Sequence, residues 1–152
     1  MIKLFVIIFL FICDIVSKKL VFSFIDLNSF IMINSVFDLT HIHNFGISFG
    51  LLSGIFPSQI FIIIGIILTL IIFYMMIKST KVLEKWGFLL IISGAVSNIV
   101  DRALNNYVID FIYLHYKDFY WPAFNFADIY ISVGVLIIIL QILKDLSLRI
   151  KK

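Results

Sequence analysis

Two aspartates lie where carboxylates are expensive. Asp110 occurs in Tyr107-Val-Ile-Asp-Phe-Ile112 and Asp128 in Phe124-Asn-Phe-Ala-Asp128, runs dominated by apolar and aromatic residues. An isolated carboxylate in such surroundings loses its hydration, so a chain that keeps one there usually needs it. If the two face each other a few Å apart, both cannot ionise. They then share one proton, and one group acts as general base on a water while the other acts as acid to a carbonyl. That is aspartic-protease chemistry, and it needs no metal and no other cofactor. Competing chemistries are thinner. His41 and His43, two apart, fall on the same side of a strand but lack an evident third metal ligand. Ser93, Ser97 and Cys13 have no histidine near them in sequence to serve as a base.

Such carboxylates must be held by something, and composition says what. The chain has 152 residues, is 62% hydrophobic with a mean hydropathy of +1.15, and only 14% of its residues are charged. Average soluble domains carry about 25% charged residues, so this is a membrane protein, and its length suits one domain over 1–152. The net charge of +3 is small, and the basic residues form no patch with interleaved aromatics. Nucleic-acid binding is excluded on that basis. The single cysteine, Cys13, permits no internal disulfide.

Four apolar runs predict four transmembrane helices, at about 2–22, 59–77, 86–104 and 125–143, in an all-α membrane protein. The second has 19 residues without a charge, close to the roughly 20 needed to cross a bilayer. The others contain Asp14, Lys18 and Lys19, then Asp101 and Arg102, then Asp128, and span only if those charges pair or face protein. Lys3, Lys78, Lys81, Lys85, Lys144, Arg149, Lys151 and Lys152 flank these runs on one side, which the positive-inside rule makes cytoplasmic, with both termini. The connections at about 23–58 and 105–123 are then external, and both aspartates lie at the outer membrane boundary. The first connection mixes β-branched and aromatic residues with polar ones and carries Gly46 and Gly50, which predicts a small extracytoplasmic β-rich segment between helices 1 and 2. Trp121 and Trp86 read as interfacial anchors. Lys3 followed by Leu4 to Cys13 resembles a secretion signal, but Ile12 stands where a lipoprotein cleavage site needs a small residue, so the segment reads as a retained span.

Other polar residues could be structural or could support the pair. Asp14 and Lys18, four apart, share a helix face in the order that favours an ion pair. Asn98, Asp101 and Arg102 share the outer end of the third helix, where Asp101 and Arg102 could form a buried pair and Gly94 allow close helix packing. Asn125 and Asp128 have the spacing of a capping box. None of these roles accounts for Asp110.

Taken in order, Asp14-x-x-x-Lys18, Asn44-x-Gly46-x-x-Phe49-Gly50, Gly94-Ala-x-x-Asn98-x-x-Asp101-Arg102, Val108-x-Asp110-Phe111 and Phe124-Asn125-x-Ala127-Asp128 closely resemble lipoprotein signal peptidase, or signal peptidase II. The likeness runs from residue 14 to about 134. It implies a four-helix aspartyl endopeptidase of the bacterial inner membrane with its active site at the outer face. Its substrate would be a prolipoprotein, cut on the amino side of a diacylglyceryl-modified cysteine, and its inhibitor the cyclic peptide globomycin. It implies that Asp110 and Asp128 are the catalytic dyad. Asn44, Asn98, Arg102 and Asn125 would contact substrate or hold the dyad, with Asp14, Lys18, Gly94, Asp101 and Ala127 supporting the site beside membrane lipid. A site assembled within one chain implies a monomer. Ile15, Ile47, Ser48 and Ser97 depart from the family pattern in packing rather than chemistry. Two rival readings remain: a small transporter, whose acids should lie near the midplane and recur in inverted halves, and a non-catalytic assembly subunit, which should tolerate loss of its acids.

Overall fold

The chain alternates long helices with short strands. The computed structural model describes residues 2–47 and 51–150; Phe49 and Gly50 of the second motif, Ser48, Lys151 and Lys152 lie outside the described residues. The elements run α1 (Ile2–Phe24), β1 (Phe30–Asn34), β2 (Phe37–Asn44), α2 (Ser58–Lys78), α3 (Val82–Asn105), β3 (Val108–Tyr116), β4 (Phe119–Tyr120) and α4 (Phe126–Ile150). Among the described residues three helices, Ser58–Lys78, Val82–Asn105 and Phe126–Leu148, are long and apolar enough to cross a membrane. α1 matches them in length, with 23 residues, but carries Lys3, Asp14, Lys18 and Lys19.

Helix α3 is the hub. It buries nine residues, including Ser93, Ser97, Asp101 and Arg102, whereas α2 buries only Phe61 and leaves most of its apolar surface exposed. An all-round apolar helix of that kind is suited to lipid rather than water. α3 and α4 approach closely at two places seven residues apart on each helix. A Cβ on Gly134 would lie 2.5 Å from the carbonyl oxygen of Gly87, and a Cβ on Gly94 would overlap that of Ala127. Small residues at such crossings let backbones meet and take van der Waals attraction over a long contact. Gly94→Ala should therefore destabilise the protein by about 1–3 kcal/mol and displace the first turn of α4, with a lower unfolding midpoint in detergent as the readout. An unchanged midpoint would refute the tight contact.

The strands form one antiparallel sheet in the order β1-β2-β3-β4. This corrects the expected placement of β structure between helices 1 and 2 alone, and the all-α description with it: two of the four strands come from the connection between α3 and α4. The reason is pairing. β2 alone is an exposed ladder edge, and Val108–Tyr116 supplies a β-branched and aromatic partner, with Asn44 opposite Val108 and Ile42 opposite Asp110. The chain turns from α3 into β3 through Asn106 at φ +66, a left-handed conformation asparagine tolerates better than most residues. Ile109, Phe111 and Ile112 of β3 pack on Val21 and Ile25 at the end of α1, which fixes the sheet to the helical bundle.

Candidate active site

Asp110 sits on β3 and Asp128 in the first turn of α4, and both line one cavity of about 280 Å³ with Asn44, Asn98 and Arg102. Phe61, Ile64, Gly65 and Leu68 of α2 form its apolar wall. A second cavity of about 270 Å³ reaches Asp128 beside Trp121, Phe124 and Ser132.

Three asparagines hold the two carboxylates. Asn125 Nδ2 donates to Asp110 Oδ1 at 2.7 Å and Asn44 Nδ2 to Asp110 Oδ2 at 2.9 Å. Asn98 Nδ2 donates to Asp128 Oδ1 at 2.9 Å, and the Asn125 backbone N–H to Asp128 Oδ2 at 3.2 Å. No amide can turn round without loss, because each opposite oxygen already faces an obligate donor. Lys18 Nζ donates to Asn98 Oδ1 at 2.7 Å, the Asp128 backbone N–H to Asn125 Oδ1 at 3.0 Å, and the Gly46 N–H to Asn44 Oδ1 at 2.9 Å. The Asn125 and Asp128 bonds form the reciprocal capping box that opens α4. A structural cap and a site contact are thus the same residues.

Behind the asparagines is a buried ionic cluster. Lys18, 2% exposed, lies 2.8 Å from Asp14 and 3.5 Å from Asp101. Asp14, fully buried, also accepts from Ser97 Oγ at 2.6 Å and from the backbone N–H of Ala127 at 2.9 Å. Asp101 accepts from the Ile109 N–H at 2.9 Å, one residue before Asp110, and from Asn105 at 2.7 Å. Asp101 thus pairs with Lys18 rather than with its neighbour Arg102. The Arg102 guanidinium instead donates to the Gly46 carbonyl and lies over Phe61, 5.5 Å from the ring centre. All nine supporting residues named from the sequence lie in or against this assembly: Gly94 against Ala127, Asp14 and Lys18 in the cluster, and the others as described. Sequence reasoning missed Ser97, although Ser93, Ser97 and Asp101 at four-residue spacing mark one face of α3. The backbone donors of Ala127 and Ile109 leave no residue-type signal at all.

Burial raises the Asp110 carboxyl to about 7, helped by the charge of Asp128 and opposed by the Asn44 and Asn125 bonds and by Lys18. A buried acid that holds a proton near neutrality, facing a cavity shared with a second carboxylate, is equipped for general acid–base work. His41 and His43 lie on β2, flanking Ile42, which is opposite Asp110 in the ladder. Among the described residues no group of three or more His, Cys, Asp or Glu side chains is placed to hold a metal ion.

The class is a membrane enzyme, mostly helical with a small antiparallel sheet. At 30% identity, 95% of the chain superposes on 89% of a bacterial membrane enzyme solved by the in meso method at 2.3 Å resolution, with a TM-score of 0.88. A second such structure, at 1.9 Å resolution, gives a TM-score of 0.83 at 30% identity, covering 94% of this chain and 93% of that one. Residues 6–144 match the model of the signal peptidase (SPase) II family. The lipoprotein signal peptidase of Thermodesulfovibrio yellowstonii is 38% identical over 132 residues, 86% of this chain and 87% of that protein. That of Pseudoalteromonas atlantica is 34% identical over 139 residues, 89% and 85% of the two chains. The chain belongs to the signal peptidase II family, aspartyl proteases that remove signal peptides from prolipoproteins.

Proposed function

We propose that the chain is an aspartyl endopeptidase that cuts bacterial prolipoproteins on the amino side of a diacylglyceryl-modified cysteine. The observation that carries this reading is the cavity shared by Asp110 and Asp128, with each carboxylate oxygen held by one nitrogen donor. Four helices cross the inner membrane, α1 included because its internal charges pair within the protein. The basic residues at the start of α1, between α2 and α3 and at the end of α4 put both termini in the cytoplasm, and the sheet and dyad at the outer face. The chain works as a monomer, all of its site residues coming from one copy.

The dyad holds one proton. Asp128 is the ionised member, in the first turn of α4 and bonded to Asn98, whose other end meets Lys18. Asp110 is the neutral member, since its two side-chain donors are uncharged amides in a buried site. A water loses a proton to Asp128 as its oxygen attacks the scissile carbonyl carbon, and Asp110 gives its proton to the carbonyl oxygen. The tetrahedral adduct collapses when the proton on Asp128 passes to the leaving nitrogen and the hydroxyl proton returns to Asp110. No acyl-enzyme forms. Asn44, Asn98 and Asn125 hold the dyad, and Arg102 meets the substrate backbone. Globomycin, a cyclic peptide, competes for the same cavity.

The test is cleavage of a lipidated precursor and of the same precursor with an unmodified cysteine, with and without globomycin. Only the first should be cut, and globomycin should stop it. Asp110 must carry its proton, so kcat/KM should decline as pH rises through about 7, with the free enzyme's acid as the titrating group. Equal cleavage of both precursors would refute the lipid requirement, and an alkaline plateau to pH ~9 would remove Asp110 as the acid.

A further inference from the structure

His41 and His43 are joined to each other. β2 carries them immediately before Asn44, which donates to Asp110. Nε2 of His43 lies 3.1 Å from Nε2 of His41, and Nδ1 of His41 lies 2.8 Å from the carbonyl oxygen of Ile25, one residue beyond α1. His41 is buried, with Phe22 edge-on to its ring at 5.6 Å. The ring of His43 lies flat on Tyr107, 3.5 Å between centres and 13° between planes. In the ladder His43 is opposite Ile109 and Asn44 opposite Val108. Stack and ladder together clamp β2 to β3 where Asn44 and Asp110 meet.

Proton counting gives this chain of bonds an unusual tolerance. The Ile25 carbonyl only accepts, so Nδ1 of His41 carries hydrogen. With both rings neutral, Nε2 of His41 is then a lone pair and His43 donates to it. One added proton is accommodated: His41 becomes the donor and His43 takes the other tautomer. A second proton sets N–H against N–H and breaks the link.

We infer that His43, through His41 and the Ile25 carbonyl, is a positioning residue for Asn44 and hence for Asp110, and that acid disables the site when both rings are protonated. The inference rests on the dyad reading above. The groups facing the pair are Phe22 of α1, Asp101 of α3, Phe45 after β2 and Tyr107 before β3. Burial, and then His41, hold His43 below the usual imidazole value, while Asp101 pulls it the other way. Burial also pushes the Tyr107 hydroxyl up, so the ring under His43 stays neutral in this range.

The test uses the full chain in detergent, with its histidines labelled with nitrogen-15, as wild type, His43→Gln and His43→Leu. Imidazole spectra between pH 8 and 5 should show two coupled protonation steps, the second coinciding with the acid loss of kcat. Glutamine offers a non-titrating N–H donor, so His43→Gln should keep kcat within about threefold at pH 7.5 and move the acid limb down by about half a pH unit or more. Leucine leaves Nε2 of His41 without its donor, and kcat should fall about tenfold with KM less affected. An unmoved acid limb in His43→Gln, or independent titration of the two rings, would overturn the inference. The spectra are read without substrate, so a failed relay and a failed dyad are separate outcomes. If His43→Leu does not fold, the glutamine variant and the spectra still decide.

Discussion

Asp110→Asn and Asp128→Asn should each lower cleavage of the lipidated precursor by about a thousandfold or more, since each removes a group that the proposed mechanism uses for proton transfer and that no neighbour can replace. Asp101 cannot substitute: its oxygens are committed to Lys18, Asn105 and the Ile109 N–H. The stability of Asp110→Asn gives a second, independent readout. Asn44 and Asn125 both donate to position 110, and neither amide can flip, so an asparagine there accepts from one and opposes the other. That mismatch should cost about 1–3 kcal/mol at pH 5. The wild-type carboxyl is raised from 3.8 to about 7, so the folded state binds the proton more tightly than the unfolded one. Its contribution is then complete below the unfolded value and is lost as pH rises through about 7. The gap between wild type and variant should therefore narrow as pH rises from about 5 to 9, measured as unfolding midpoints. A gap that widens would mean the carboxyl is ionised throughout, and near-normal cleavage by either variant would end the dyad reading.

Lys18→Met should be the most damaging single change to stability. The ammonium is the one cation within ion-pair distance of both Asp14 and Asp101 among the described residues, and all three groups are buried. Methionine fills similar space but leaves two carboxylates without a counter-charge, which should cost about 3–5 kcal/mol. Activity should fall in the folded fraction too. Without Lys18 the Asn98 oxygen has lost its charged donor, and the amide that donates to Asp128 is held from one side only. The double variant Asp14→Asn with Lys18→Met should lose less than the sum of the two single losses, because it removes a charge that the single variant strands. A Lys18→Met protein within about 1 kcal/mol of wild type would refute the counter-charge role.

The carboxylate pair was legible because burial makes an acid conspicuous: Asp110 and Asp128 stand out in runs of Val, Ile and Phe. The capping box at Asn125 and the Asp14–Lys18 pair were legible because their partners are three or four residues away on one helix. Asp101 was harder. Adjacent residues on a helix point about 100° apart, so Arg102 turns toward Phe61 of α2 while Asp101 meets Lys18 of α1. Half the sheet escaped for a related reason. Val108–Tyr116 has strand composition, but its partner begins 64 residues earlier at Asn44, and no local pattern announces a pairing of that range. The roles of Asn44 and Arg102 were reached through motif resemblance, since nothing in their own neighbourhoods assigns them.

The paired backbone contacts between α3 and α4 have a mechanical consequence. Two steric stops, Gly87 with Gly134 and Gly94 with Ala127, forbid sliding of one helix along the other by less than a full repeat. Asp128 therefore rides on the stiff jaw of the cavity. The opposite wall is α2, with Phe61 as its one buried side chain and isoleucine, leucine and glycine facing the void. The wall that carries Asp128 is thus the one locked by backbone contact, and the wall of α2 is the one that also presents a broad apolar surface away from the cavity.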